Sequence, residues 1–338
     1  MRALLVMTFV ASAAGLSAAV SGGLLKPKVV CLGETLFDSL PHGVFLGGAP
    51  LNVAVHAAAM GVEAMMVSAV GDDALGEDAI GRLRQFGVDT LNVQQSPLRT
   101  GFVTCRIGAT GDASYNFQTP AAWDDIRATA AMLEAVAASD ALVHGSLALR
   151  HARSAAAVVE ASAVSKRRVF DLNLRQPFVD RARVLELMPG SWILKMNEEE
   201  LLEIACEWCG FAFEDATTAA DEIAKLGSLC RQLRDRFKVD HVVVTRAEKG
   251  ALLLSAEHGL FSVALDTAIA LVADTVGAGD AFTARLLAGF LSEEPPADAM
   301  RAAALLSAWV VTKNGATPDH NADLEAFLET HTAHVTRH

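Results

Sequence analysis

Val272-Ala-Asp-Thr-Val-Gly-Ala-Gly-Asp-Ala-Phe-Thr-Ala-Arg-Leu-Leu287 carries the most information of any stretch in this chain. A Gly-Ala-Gly turn at 277–279 opens directly into an apolar-periodic helix with an acid, Asp280, in its first turn. Exposed backbone N–H groups and the positive helix end make such a turn a cradle for an anion. A carboxylate at that position ordinarily caps the helix. Here two small glycines leave room for a ligand, so Asp280 is also placed to accept a proton from a substrate hydroxyl. An anion cradle beside a base points to phosphoryl transfer to an alcohol, where positioning and charge stabilisation do most of the work. Asp280 is the candidate general base. The backbone N–H groups of Val276, Gly277, Ala278 and Gly279 are the candidate anion hole. Neither a Walker-type G-x-x-x-x-G-K-[ST] nor an H-R-D set occurs, which excludes those two routes to the same chemistry.

Upstream, Gly47-Gly48-Ala49-Pro50-Leu51-Asn52-Val53-Ala54 leads into the helical run Val55–Met60, closed by Gly61. Paired glycines allow a ligand close to the backbone. Pro50 starts a helix without wasting a donor, and Asn52 offers both a donor and an acceptor to a polyol. Between and around the two segments, short apolar runs alternate with amphipathic ones. Val29–Gly33, Met65–Val70, Ala141–His144, Val169–Leu172, Trp192–Lys195 and His241–Thr245 read as buried parallel strands. Leu75–Phe86, Ile126–Ala137 and Ala152–Ala163 read as helices. The alternation predicts a doubly wound α/β sheet with ligands beyond the carboxyl ends of its strands. Leu36–Phe45 and Thr100–Phe117 break the rhythm and read as further strands, the second as a hairpin around Ala109-Thr-Gly-Asp112.

The two glycine segments together resemble the paired signatures of the ribokinase-like (PfkB) sugar kinases, and the resemblance runs from Val29 to about Leu328. It implies a mainly parallel sheet flanked by helices over residues 27–330, with lid strands at about 36–46 and 100–118 covering a sugar. It implies MgATP as phosphoryl donor, and sugar contacts from Asp38, Gly48 and Asn52. Asn197 and Glu200 of Asn197-Glu198-Glu199-Glu200 match an N-x-x-E pattern that helps hold Mg²⁺, often through water, with Glu198 and Glu199 as helix-start charges. In Asp171-Leu172-Asn173-Leu174-Arg175, Arg175 is a fork donor suited to phosphate oxygens. Thr245-Arg246-Ala247-Glu248-Lys249-Gly250 matches the nucleotide-side T-x-G-x-x-G turn, leaving Thr245 and Gly250 but with Ala247 replacing the first glycine. Val311–Ala316, including Asn314, would flank the adenine. Asp274, Val276 and Gly315 occupy the segments whose carbonyls hold potassium in many relatives.

The opening Gly33-Glu-x-Leu-x-Asp38, the Gly-Gly-Ala-Pro-x-Asn form and Asp171-x-Asn-x-Arg175 look more like fructokinases than ribokinases or adenosine kinases. The resemblance thus implies fructose as acceptor, with 2-keto-3-deoxygluconate or ribose as the nearest competitors and a non-catalytic scaffold as the competitor from another class. The pairs Tyr115-Asn-Phe117 and Trp123-Asp124 face either the sugar or the core. In relatives the lid is a common homodimer surface.

Composition sets the outer bounds. Hydrophobic residues make up 52% of the 338, ample for a buried core. A net charge of −12, from 40 acids against 28 bases, argues against a nucleic-acid or anionic-membrane surface. The five cysteines do not form an even disulfide framework, and Cys206-Glu-Trp-Cys209 is a lone C-x-x-C inside a helical pattern, read as packing. Residues 1–25 form an uncharged run after Met1-Arg2 and read as a signal or targeting leader, with no stable membrane anchor expected. An organelle such as a plastid or mitochondrion fits a cleaved leader. A mispredicted gene start fits a cytoplasmic enzyme.

Overall fold

The apolar runs become adjacent strands because their side chains are buried under helices on both faces of the sheet. A computed structural model describes residues 26–40, 43–107, 113–214 and 216–338. The 1–25 leader and the hairpin tip at 109–112 lie outside the described residues. In chain order the elements are β1 (Lys28–Leu32), β2 (Leu36–Leu40), β3 (Gly43–Gly47), α1 (Ala49–Ala59), β4 (Glu63–Gly71), α2 (Ala74–Gln85), β5 (Asp89–Ser96), β6 (Gly101–Ile107) and β7 (Ala113–Phe117). Then come α3 (Ala130–Ala138), β8 (Ala141–His144), α4 (Ala152–Val164), β9 (Arg168–Asp171), α5 (Arg181–Leu187), β10 (Ile193–Asn197) and α6 (Glu198–Leu202). The remainder is α7 (Ala219–Phe237), β11 (His241–Thr245), β12 (Ala251–Ser255), β13 (Gly259–Leu265), α8 (Ala278–Leu291), α9 (Pro296–Val310), α10 (Ala322–Thr330) and β14 (Ala333–Arg337).

The main sheet has ten strands in the order β14-β13-β12-β11-β10-β9-β8-β1-β4-β5. All pairings from β11 to β5 are parallel, and β12, β13 and β14 are added antiparallel. From β1 the chain winds one way to β4 and β5 and the other way to β8 and beyond. The switch between β1 and β8 opens a crevice at the strands' carboxyl ends. Helices cover both faces. Leu51 and Val55 of α1, Phe282 and Leu286 of α8, and Trp309 of α9 pack on one side. Met132, Val158, Leu229 and Leu233 pack on the other. This is the doubly wound α/β architecture the alternation predicts.

The two rhythm-breaking segments form a separate four-stranded sheet, β3-β2-β6-β7, with β2 and β6 parallel and the outer pairs antiparallel. The structure differs from the sequence reading in several places. The helix expected from Ile126 starts at Ala130, because Thr129 caps it by accepting from the Met132 N–H at 3.2 Å. The Leu36–Phe45 stretch becomes two antiparallel strands, β2 and β3, with Asp38 the middle residue of β2. β5, β12, β13 and β14 had no sequence signal strong enough to name, and β14 lies beyond residue 330. The C-x-x-C stretch runs from a π-helical turn, Glu203–Trp208, into its C-cap Cys209, with both thiols free and pushed up by burial. Trp123 is fully buried with the Arg150 guanidinium 3.7 Å from its ring centre, and Arg150 pairs with Asp124 at 2.7 Å, so this pair packs into the core. Among the described residues no helix is long and apolar enough to cross a membrane.

Candidate active site

A cavity of about 510 Å³ lies at the carboxyl ends of β1, β9, β10 and β11 and collects most of the predicted residues. Asp38, Gly48, Asn52, Arg175, Asn197, Glu200, Thr245, Val276, Gly277, Gly279 and Asp280 all line it. A larger hollow of about 700 Å³ beside Asp72–Leu75 and Pro97–Thr100 holds none of them. Its Asp73 is spent capping α2 and bonding Thr100.

Two helix starts meet across the cavity. Gly277, at φ 80, turns the chain into α8, and a Cβ there would come within 2.5 and 2.6 Å of Ala316 atoms. This left-handed turn against a neighbouring backbone is what demands glycine. Gly48 starts α1 at φ 122, with Pro50 in the first turn. One turn on, Asn52 Nδ2 donates to Asp280 Oδ2 at 2.8 Å, so the second signature's acid is held by the first signature's amide. Burial, and then repulsion from Asp171, push the Asp280 carboxyl up to about 6, against the pull of Lys195, Asn52 and Arg175. Asp38 also rises to about 6, chiefly through burial, with Arg175 opposing. Of the four N–H groups expected to form an anion hole, Val276 donates to Asp274 Oδ1 at 3.0 Å and Ala278 leans on the Thr275 carbonyl at 3.4 Å. The Gly277 and Gly279 N–H groups have no acceptor among the described residues.

Asn197 and Glu200 form a reciprocal cap. Asn197 Oδ1 accepts from Glu200 N and Glu200 Oε2 accepts from Asn197 N, both at 2.8 Å. Glu200 Oε1 accepts from Leu174 N at 2.6 Å, which ties α6 to the loop carrying Arg175. Arg175 is exposed at the rim and has no ion-pair partner among the described residues. Glu198 does more than complement a helix start. It pairs with Arg246 at 2.7 Å, and Arg246 and Lys249 both reach Glu222.

Gly250 and Asn314 fall outside the cavity lining. Gly250, at φ 86, is a glycine because a Cβ would overlap the Val263 carbonyl, a close approach that the β12–β13 hairpin imposes. Ala247, in place of the first glycine of that turn, sits at φ 48. Asn314 and Gly315 line a separate pocket of about 130 Å³ with Phe45, Arg82 and Phe86. Asp274 joins the two segments expected to seat a cation, since its Oδ2 accepts from Gly315 N at 3.3 Å and its Oδ1 from Val276 N.

Residues 43–322 match the pfkB family carbohydrate kinase domain. The chain belongs to this family. Like other pfkB carbohydrate kinases, it is a phosphotransferase acting on a sugar hydroxyl. It is 27% identical over 333 residues to the probable fructokinase-3 of Arabidopsis thaliana, covering 89% of this chain and 91% of that protein. It is 30% identical over 290 residues to a Salmonella typhimurium fructokinase, covering 81% and 88%. The Vibrio cholerae fructokinase solved with fructose, ADP and calcium superposes with a TM-score of 0.71 at 25% identity, covering 89% of this chain and 99% of that one.

Two residues of this pfkB kinase's cavity escaped the sequence reading. Glu34 follows β1 and is 3% exposed. Its Oε1 accepts from the Ala49 N–H at 3.0 Å, its Oε2 has no partner among the described residues, and burial raises the carboxyl to about 7. Lys195 lies in β10 and is paired with Asp171. Each had one available signal. Glu34 is an acid directly after an apolar strand, and Lys195 is a cation inside one.

Proposed function

We propose that this pfkB kinase transfers the γ-phosphoryl of MgATP to a hydroxyl of D-fructose, giving fructose 6-phosphate. The observation that carries the chemistry is the Asn52–Asp280 hydrogen bond beside the Gly277 turn. It sets a carboxylate, an open pair of N–H groups and a polyol-sized cavity side by side. Fructose as acceptor is supported by the Salmonella and Vibrio relatives.

Asp280 takes the proton of the acceptor hydroxyl as its oxygen bonds to the γ-phosphorus and the bond from that phosphorus to the ADP oxygen breaks. The open N–H groups of Gly277 and Gly279, on either side of Ala278, receive the charge developing on the phosphoryl oxygens. Gly48, Asn52 and Asp38 hold the sugar, Asp38 accepting from its hydroxyls. Arg175 clamps phosphate from the rim and Thr245 borders the nucleotide, with Gly250 and Asn314 assigned to the nucleotide from outside the cavity lining. Mg²⁺ supplies charge neutralisation to the phosphates. Asn197 and Glu200 have their oxygens engaged by backbone N–H groups, and no group of three or more acidic, histidine or cysteine side chains forms a metal cage among the described residues. That arrangement fits an ion held by phosphate and water, touched by the protein from outside its hydration shell. Asp274, by fastening Val276 to Gly315, shapes a seat for a monovalent cation such as K⁺.

A coupled ADP-release assay of the full chain with MgATP, against fructose, ribose, glucose, adenosine and 2-keto-3-deoxygluconate, tests the proposal. Turnover confined to fructose is expected. Preference for ribose or the keto-acid overturns the acceptor, and silence across the panel with ATP still bound favours a scaffold.

A further inference from the structure

The cavity holds a cation that the chemistry above leaves unused. Lys195 is 6% exposed in β10, between the fully buried Leu194 and Met196, yet it lines the cavity. Its Nζ donates to Asp171 Oδ1 at 2.9 Å and Oδ2 at 2.8 Å. Thr283 Oγ1, one turn along α8 from Gly279, lies 3.0 Å from the same Asp171 Oδ2 and 2.9 Å from the Gly279 carbonyl oxygen. A Cβ built on Gly279 would sit 3.2 Å from Nζ, so the ammonium lies against the glycine turn. Burial pulls its pKa down, but Asp171, and then Asp280, hold it above the ordinary lysine value.

An ammonium carries three donors. Asp171 takes two, and the third meets no acceptor among the described residues. As a stabiliser such a buried pair seldom repays its desolvation. As a fixed positive charge in the cavity wall it has a use, because preorganised charge is most effective where negative charge develops.

We propose that Lys195 is a catalytic residue, its third N–H facing the transferring phosphoryl group beside the Gly277–Gly279 turn, with Asp171 and Thr283 as positioning residues. The proposal rests on the phosphoryl-transfer chemistry above. While the hydroxyl oxygen bonds to phosphorus, the bond to the ADP oxygen breaks and the proton passes to Asp280, the phosphoryl oxygens stay anionic and Lys195 meets that charge. Arg175, exposed at the rim, cannot be held as rigidly.

The test compares the wild-type chain with Lys195→Met, Lys195→Arg and the double variant Lys195→Met/Asp171→Asn, which avoids leaving Asp171 buried without its cation. The readouts are kcat, both KM values, melting temperature, and calorimetric binding of ADP with and without aluminium fluoride, a planar phosphoryl mimic. Expected are a kcat loss of about 10²–10³-fold in the methionine variants, ADP affinity and sugar KM within about threefold, partial rescue by arginine, and loss of the tightening by aluminium fluoride. Turnover near wild type in a methionine variant overturns the proposal. So do parallel losses in ADP affinity, sugar KM and melting temperature in both methionine variants, which mark a purely structural pair. Absence of an aluminium fluoride effect in the wild-type chain also overturns it. A wild-type chain that binds the mimic but turns over none of the sugars strikes the acceptor assignment alone.

Discussion

Replacing Asp280 by Asn separates what this carboxylate does for catalysis from what it costs the fold. In the folded protein the group stands at about 6 against an ordinary 3.8, because burial and then Asp171 disfavour its charge. That gap of ~2 pKa units corresponds to about 3 kcal/mol. Below 3.8 the folded and unfolded chains both hold the proton, and the group contributes nothing. Between 3.8 and about 6 only the unfolded chain releases it, so the penalty grows with pH. Above about 6 the folded protein carries the full amount. Asn is close in size, uncharged, and able to present its oxygen to Asn52 Nδ2. Asp280→Asn therefore gains up to about 3 kcal/mol above neutral pH, roughly 5 °C in melting temperature for a chain of this length, and gains nothing near pH 4. Its kcat falls by about 10²–10⁴-fold. Melting curves from pH 4 to 8, paired with the ADP-release assay, measure both. A variant less stable than wild type at pH 8, or one whose turnover survives, refutes the assignment of Asp280 as a buried, strained base.

Three further substitutions probe the cavity and the turn that follows β11. Asp38→Ala should raise the sugar KM at least about tenfold, the loss of hydrogen bonds to a charged group, with the ATP KM unchanged; equal losses in both would mean general unfolding. Ala247→Gly relieves a left-handed alanine at φ 48 and should stabilise the protein by about 1 kcal/mol or slightly less, read by thermal melting. No gain would mean that the turn carries no strain. Gly277→Ala sets a methyl against Ala316 at a positive φ and should cost about 1–3 kcal/mol together with most of the turnover, so an unaffected kcat would place the phosphoryl elsewhere.

Much of the fold was legible because buried parallel strands leave an undiluted signal. Ala141–His144 and His241–Thr245 are apolar on both faces and appear in the structure with the bounds the sequence predicts. β5 was invisible because Asp89–Ser96 lies on the sheet's edge with a mixed pattern, Leu91 exposed while Thr90 and Ser96 are buried. β14 was invisible because a short, mostly exposed strand gains its identity from its partner, β13. In the site, glycine turns advertise themselves, since only glycine tolerates what Gly48 and Gly277 do. Lys195 and Glu34 did not, because their meaning lies in what faces them. Asp171 meets Lys195, and Thr283 meets Asp171, from distant parts of the chain, and no periodicity encodes that meeting.

The last strand has a practical bearing on how the protein is handled. β14 pairs along most of β13, from Phe261↔Arg337 to Leu265↔Ala333, and the His338 N–H reaches the Leu260 carbonyl. Trimming the polypeptide back to residue 330 would keep every residue of the glycine turns and the cavity. It would also strip β13 of its neighbour and leave a row of unpaired backbone groups, a ready template for pairing with another molecule. A shortened preparation that clumps would therefore reveal an uncovered seam and carry no information about catalysis.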